Sequence, residues 1–137
     1  MGDFVHRLEV RFRDCDPMGH VNHSVYFTYL EQTRFAHWRA LGGRPSGEEA
    51  IPSVIIAHAE CDYKRAALQG EVLEVRLRLG SMGRSSFQYE YEIVDEQQRT
   101  IATAKTVQVM YDYRAGRPIP IPDEIRQRLQ ASPARQP

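Results

Sequence analysis

The sequence predicts an α+β domain in which one long apolar helix lies against an antiparallel sheet of about five strands. Three observations carry this. Within residues 25–41, 10 of the 17 side chains are apolar or aromatic, a stripe too wide for a helix resting loosely on a surface. Downstream, residues 73–79 and 87–93 alternate apolar and charged with the strand period of two. The turns at residues 80–83 and 95–99 are short, and consecutive hairpins make neighbouring strands antiparallel.

The elements follow in order. Residues 7–13 alternate, with Leu8, Val10 and Phe12 on one side and Arg7, Glu9, Arg11 and Arg13 on the other. This is a half-buried strand, broken by Pro17 and Gly19. Residues 24–41 form the long helix, stopped by Gly42-Gly43. Residues 44–50 are a polar loop. Residues 53–63 open with Val54-Ile55-Ile56-Ala57 and read as a buried strand. Leu73, Val75, Leu77 and Leu79 mark the next strand, and Phe87, Tyr89, Tyr91 and Ile93 the one after it. Residues 101–113 make a long last strand. Pro118, Pro120 and Pro122 lead into a short capping helix at 123–130.

The 137 residues suit a single domain spanning 1–137, with its core in 4–130 and a frayed tail at 131–137. Hydrophobic residues make up 42% and charged residues 26%, the composition of a packed globular chain. Lys plus Arg (18) balances Asp plus Glu (18). Nothing global draws the chain to nucleic acid or to an anionic membrane. No leader-like start or membrane-length apolar run is evident. Two cysteines, Cys15 and Cys61, fit a cytoplasmic protein with reduced thiols.

The chemistry concentrates in Asp14-Cys15-Asp16-Pro17-Met18-Gly19-His20-Val21-Asn22-His23, a strand end and tight loop running into the helix. A helix start offers unpaired N–H groups and partial positive charge. An acid beside such an anion-stabilising pocket is what attack on a carbonyl requires. The balanced net charge still allows Arg and Lys to form a local patch for a phosphorylated ligand.

These residues, with Arg11-Phe12-Arg13 before them and Tyr26 and Leu30-Glu31 after, resemble the hot-dog fold thioesterases. More narrowly, they are similar to the 4-hydroxybenzoyl-CoA thioesterase family and its bacterial acyl-CoA thioesterase relatives. Cys61-Asp62-Tyr63-Lys64-Arg65 with Gly70-Glu71, Gly83-Arg84-Ser85-Ser86-Phe87, and Arg117-Pro118-Ile119-Pro120-Ile121-Pro122 extend the likeness over residues 4–130. The resemblance implies a curved sheet wrapped around the helix and hydrolysis of an acyl-CoA thioester without a metal or redox cofactor. It implies Asp16 as nucleophile or general base and the His23 backbone N–H as oxyanion donor. It implies a homodimer or homotetramer with the site at the subunit interface. There Arg65, Arg84 and Ser85 approach CoA, from the same subunit or from the other one. Related plant carrier-protein thioesterases carry Asn two residues after the Asp, where this chain has Met18. Their His and helix Glu match His20 and Glu31.

Each residue also has a plainer reading. Asp16 alone could simply close a turn before Pro17, and Asp14 is the structural acid of the pair. His20 either orders the loop or only hydrogen-bonds. A metal set built on His20, His23, Asp14 and Asp16 lacks completing ligands elsewhere. Glu31 lies about 12 Å along the helix from His23 at about 1.5 Å per residue, so it fits a charge pair better than chemistry at the helix start. Cys15, flanked by carboxylates, is a small packed residue rather than a thiolate. Arg65, Arg84 and Ser85 are either phosphate anchors or strand-end polar groups. Tyr26 and Tyr29, near the loop, are candidates for an acyl pocket, whereas Phe35 and Trp38 are core. Rival functions on the same fold are an acyl-thioester hydratase or dehydratase, and a non-catalytic acyl-thioester-binding protein.

Overall fold

The computed structural model of the chain describes residues 3–42 and 54–131. Two expected features, the polar loop at 44–50 and the tail beyond 131, lie outside the described residues. The elements run β1 (Phe4–Glu9), a 3-10 turn (Phe12–Asp14), α1 (Val25–Ala40), β2 (Val54–Tyr63), β3 (Val72–Met82), β4 (Ser86–Val94), β5 (Thr100–Asp112), β6 (Arg117–Pro118) and α2 (Asp123–Ala131). The sheet has six strands in the order β1-β3-β4-β5-β2, with β6 beside β5. All its pairings are antiparallel.

The core lies between α1 and one face of the sheet. Tyr26, Tyr29 and Leu30 of α1 are buried with Leu73, Val75 and Leu77 of β3 and with Phe87, Tyr89, Tyr91 and Ile93 of β4. The period-two alternation therefore puts its apolar side inward, as expected. Two polar side chains on the helix stripe, Thr33 and His37, are also fully buried. Thr33 donates to the Tyr29 carbonyl at 2.8 Å, and His37 Nδ1 meets the Tyr89 hydroxyl at 3.0 Å. Phe35 belongs to the apolar count but is exposed. The helix ends at Gly42, whose φ of +98° is the left-handed conformation that stops a helix. Arg128 of α2 donates to the Leu41 carbonyl at 3.2 Å, which closes that end.

Three expectations need correction. The first strand is Phe4–Glu9, earlier than 7–13. The chain then curls because Asp14 accepts hydrogen bonds from both the backbone and the side chain of Arg11. That curl turns Phe12 outward instead of into the core. Residues 80–83 are not the hairpin turn: β3 continues through Met82, with an irregular register after Leu79. Gly80 lies inside β3 without a left-handed φ, and a Cβ there would stand 3.0 Å from Glu90 Oε2 and 3.1 Å from Gln88 Nε2, the mobile ends of two neighbouring side chains. The turn is the Gly83–Ser86 closure, where the Gly83 N–H donates to the Ser86 carbonyl at 2.7 Å. Finally, β2 is not buried. Among the described residues it is an edge strand pairing only with β5, and most of its side chains are exposed.

Candidate active site

The loop that carries Asp16 is built by short-range bonds. The Asp16 N–H donates to the His20 carbonyl, and the Gly19 N–H donates to the Asp16 carbonyl, each at 2.9 Å. Asp16 Oδ1 accepts the Met18 N–H at 2.9 Å, a side-chain turn typical of aspartate. Gly19 has φ of +85°, which closes the loop in a conformation that glycine adopts without strain. Cys15 and Val21 pair across its base.

Two longer-range contacts fix this loop to the fold. The Val21 N–H donates to the Ala67 carbonyl at 3.0 Å, and the Asn22 N–H donates to the Asp14 carbonyl at 2.9 Å. Asp14 itself is buried. Its Oδ2 accepts the Tyr29 hydroxyl at 2.8 Å and the Arg11 N–H at 2.9 Å, while Oδ1 accepts Arg11 Nη2 at 2.9 Å. Burial alone would push the Asp14 carboxyl up. The bonds from Arg11 and Tyr29, with the Arg11 charge, outweigh burial and hold it below its ordinary value. Asp14 is the bolt between loop and helix.

At the helix start, Asn22 Oδ1 accepts both the Ser24 N–H at 3.0 Å and the Ser24 hydroxyl at 2.9 Å. The Val25 N–H donates to the Asn22 carbonyl at 2.9 Å. Among the described residues, the His23 backbone N–H and Asp16 Oδ2 have no hydrogen-bond partner. His23 and Asp16 line one cavity of about 370 Å³ with His20, Val21, Tyr26, Tyr63, Lys64, Arg65 and Ala66.

The far wall comes from the end of β2. The Lys64 and Arg65 N–H groups both donate to the Ile101 carbonyl, at 2.8 and 3.1 Å. Two donors sharing one acceptor make a bulge, and the two cations just past β2 line the cavity. Tyr63, the last residue of β2, donates from its hydroxyl to the His23 carbonyl at 3.0 Å. Its ring stands edge-on to Tyr26, with centroids 5.2 Å apart. Burial is the main reason that the Tyr26 phenol is pushed up to about 12, so it stays protonated at neutral pH.

Of the residues singled out from the sequence, Asp16, His20, His23, Tyr26 and Arg65 come together. Tyr29 does not line this cavity, because its hydroxyl is committed to Asp14 in the core. Glu31 lines other cavities. One of them, about 360 Å³, lies between α1 and the sheet and includes Arg34, Phe35, Trp38, Val54, Ile56, Phe87 and Gln108. No ion pair forms at Glu31 among the described residues. Arg84 and Ser85 sit in the β3–β4 turn, outside the Asp16 cavity. Their carbonyls accept the Ile121 and Met110 N–H groups, both at 2.8 Å. Tyr63 and Lys64 are the residues that sequence reasoning did not assign. Both lay inside a noted motif, but nothing local tells that β2 ends against the helix start. Among the described residues, no three His, Cys, Asp or Glu side chains cluster as a metal site.

The model of the thioesterase-like superfamily matches residues 10–129. The chain belongs to this superfamily. As a superfamily member it has the hot-dog fold, the antiparallel sheet and long helix described above. It is similar to a thioesterase of Thermus thermophilus whose crystal structure contains coenzyme A and Zn. That likeness has 34% identity and a TM-score of 0.81, covering 96% of each chain. A crystal structure from Aquifex aeolicus is 31% identical with a TM-score of 0.84, covering 92% of this chain and 98% of the other. A 1,4-dihydroxy-2-naphthoyl-CoA hydrolase of Synechococcus elongatus is 28% identical over 136 residues, 95% of this chain and 97% of its own. Among the described residues, no helix of this superfamily member is long and apolar enough to cross a membrane.

Proposed function

We propose that this protein hydrolyses an acyl-CoA thioester to a free acid and CoA. One observation carries the reading. The Asp16 carboxylate, with one oxygen unpaired, shares a cavity with the unpaired His23 N–H and with Lys64 and Arg65. A thioester carbonyl seated there has an attacking group on one side and an oxyanion donor on the other. The helix start adds partial positive charge where the carbonyl oxygen becomes anionic.

Asp16 acts in one of two balanced ways. As nucleophile, its free oxygen adds to the carbonyl carbon, the C–S bond breaks, and CoA leaves as thiolate. Water then cleaves the resulting mixed anhydride. As general base, it takes a proton from water, whose oxygen forms the new C–O bond as the thiolate departs and is protonated. His20, at the cavity edge, orders water or the loop. Lys64 and Arg65 hold CoA phosphates. Arg84 and Ser85 serve a site on a second copy.

A CoA ester is favoured as substrate because one relative was crystallised with coenzyme A and another is a hydrolase of an aromatic acyl-CoA. Assembly as a homodimer or homotetramer is supported by the edge position of β2, which pairs on one side alone among the described residues. Free thiols at Cys15 and Cys61 are in keeping with a cytoplasmic setting.

Thiol release from acetyl-, hexanoyl-, palmitoyl-, benzoyl- and phenylacetyl-CoA, beside Asp16→Asn, tests the reading. At least one ester is expected to turn over, with a loss in kcat of about 10²–10⁴-fold in the variant. Near-normal turnover in Asp16→Asn would refute the assignment. Loss of an enoyl-CoA chromophore without thiol release would move the protein to the hydratases. Tight binding of an ester with no turnover would make it a binding protein.

A further inference from the structure

We infer that Tyr63 is a positioning residue for this hydrolysis, its hydroxyl holding the His23 carbonyl and so fixing the helix start, with the His23 N–H, against the end of β2. The inference rests on the thioesterase reading above and adds a residue to it.

Consider how the helix start is held. On the near side, Asn22 is fixed by its N–H bond to the Asp14 carbonyl at 2.9 Å. On the far side, Ser24 is fixed by its two bonds to Asn22 Oδ1, at 3.0 and 2.9 Å. His23 stands between them. Its N–H has no partner among the described residues, and its ring packs edge-on to Tyr63. The only hydrogen bond its backbone makes among the described residues is the one its carbonyl accepts from Tyr63, at 3.0 Å. Peptide planarity couples the His23 N–H to the Asn22 carbonyl, which accepts the Val25 N–H, and the His23 carbonyl to the Ser24 N–H, which donates to Asn22 Oδ1, so these bonds shape the turn from within. Those bonds tie the turn to itself, whereas the Tyr63 bond ties His23 to the end of β2 and so holds the turn, with its N–H, against the far wall of the cavity.

Tyr63 is suited to the task because its backbone is built into the sheet. It pairs with Ala102 in β5, and the next two N–H groups both bind the Ile101 carbonyl. The phenol reaches from this frame across the cavity mouth to the helix start. The oxyanion donor is thereby referenced to the sheet as well as to the helix, as a preorganised site requires.

The variant to make is Tyr63→Phe. It keeps the ring against Tyr26 and removes only the hydroxyl. Tyr63 and His23 are both exposed residues, so water can take the place of the lost hydroxyl at the His23 carbonyl. Steady-state thiol release on the best CoA ester is expected to show kcat reduced about tenfold, below the roughly 10²–10³-fold cost of removing an oxyanion donor outright. KM is expected to stay within about twofold, because the contact matters most when the oxygen carries charge. Equal kcat in wild type and variant would overturn the inference and leave the thioesterase reading standing. So would equal losses from a KM increase alone, or a large fall in melting temperature, since either makes Tyr63 merely structural. A wild type that hydrolyses no thioester would instead overturn the parent reading.

Discussion

Removing the Tyr29 hydroxyl tests the bolt that joins the Asp16 loop to the helix. Tyr29 and Asp14 are each 2% exposed, and their hydrogen bond is 2.8 Å long. Tyr29→Phe keeps the ring and its packing. It deletes one bond to a charged acceptor and leaves Asp14 with Arg11 alone. A hydrogen bond to a charged group contributes about 1.5–3 kcal/mol. For a domain of this size, about 1 kcal/mol moves the melting temperature by about 4 °C. The variant should therefore melt about 6–12 °C lower at pH 7. Urea unfolding followed by circular dichroism, at matched protomer concentration, measures the same loss as a free energy. The effect has a pH signature. The folded Asp14 carboxyl lies below its ordinary 3.8, so its contribution is present above that pH and is lost as pH falls through the folded value. The gap between wild type and variant should accordingly narrow in strong acid. A Tyr29→Phe protein within about 0.5 kcal/mol of wild type at neutral pH would refute the role given to this bond.

Two further outcomes follow from the geometry. His37 is buried, and desolvation pushes its imidazole down from 6.5 to about 4. The unfolded chain takes up a proton below pH 6.5 while the folded one does not until about pH 4, so stability should fall as pH drops through that window, by up to about 3 kcal/mol. His37→Leu should flatten this slope in urea titrations between those pH values, although its stability at pH 7 starts lower because Tyr89 loses its partner. An unchanged slope would show that other groups govern it. Ile56 sits on the open edge strand β2 and is 43% exposed. Ile56→Lys should shift the protein to monomer in size-exclusion chromatography with light scattering, because a charge on an edge strand opposes strand pairing. An unchanged mass would remove β2 from the interface.

How much of this could be read from the chain depended on how local each feature is. The β3 and β4 strands declare themselves through alternation, and α1 ends at Gly42 as expected, because both signals are written in neighbouring residues. The Asp16 loop was legible for the same reason, since its turn bonds span four residues or fewer. Position within the sheet was not legible. The Val54-Ile55-Ile56-Ala57 run looks like an interior strand, yet β2 lies at the edge. An apolar run reports that a surface needs covering, not whether this chain supplies the cover. Phe12 misled in a similar way. Its place in the alternation holds only if the strand continues, and the Arg11–Asp14 contact ends it.

The sequence by itself determined the α+β class, the long helix, and the acid-bearing loop at its start, because periodicity and turn chemistry act over a few residues. Tertiary structure alone decided which side chains stand around that loop. It sent Tyr29 into the core to hold Asp14 and brought Tyr63, 40 positions from His23, onto the helix start. It also left Glu31, Arg84 and Ser85 outside the Asp16 cavity. The physical reason is that hydrogen-bond partners so far apart in the chain meet only through strand register and helix packing. No window of sequence encodes that meeting.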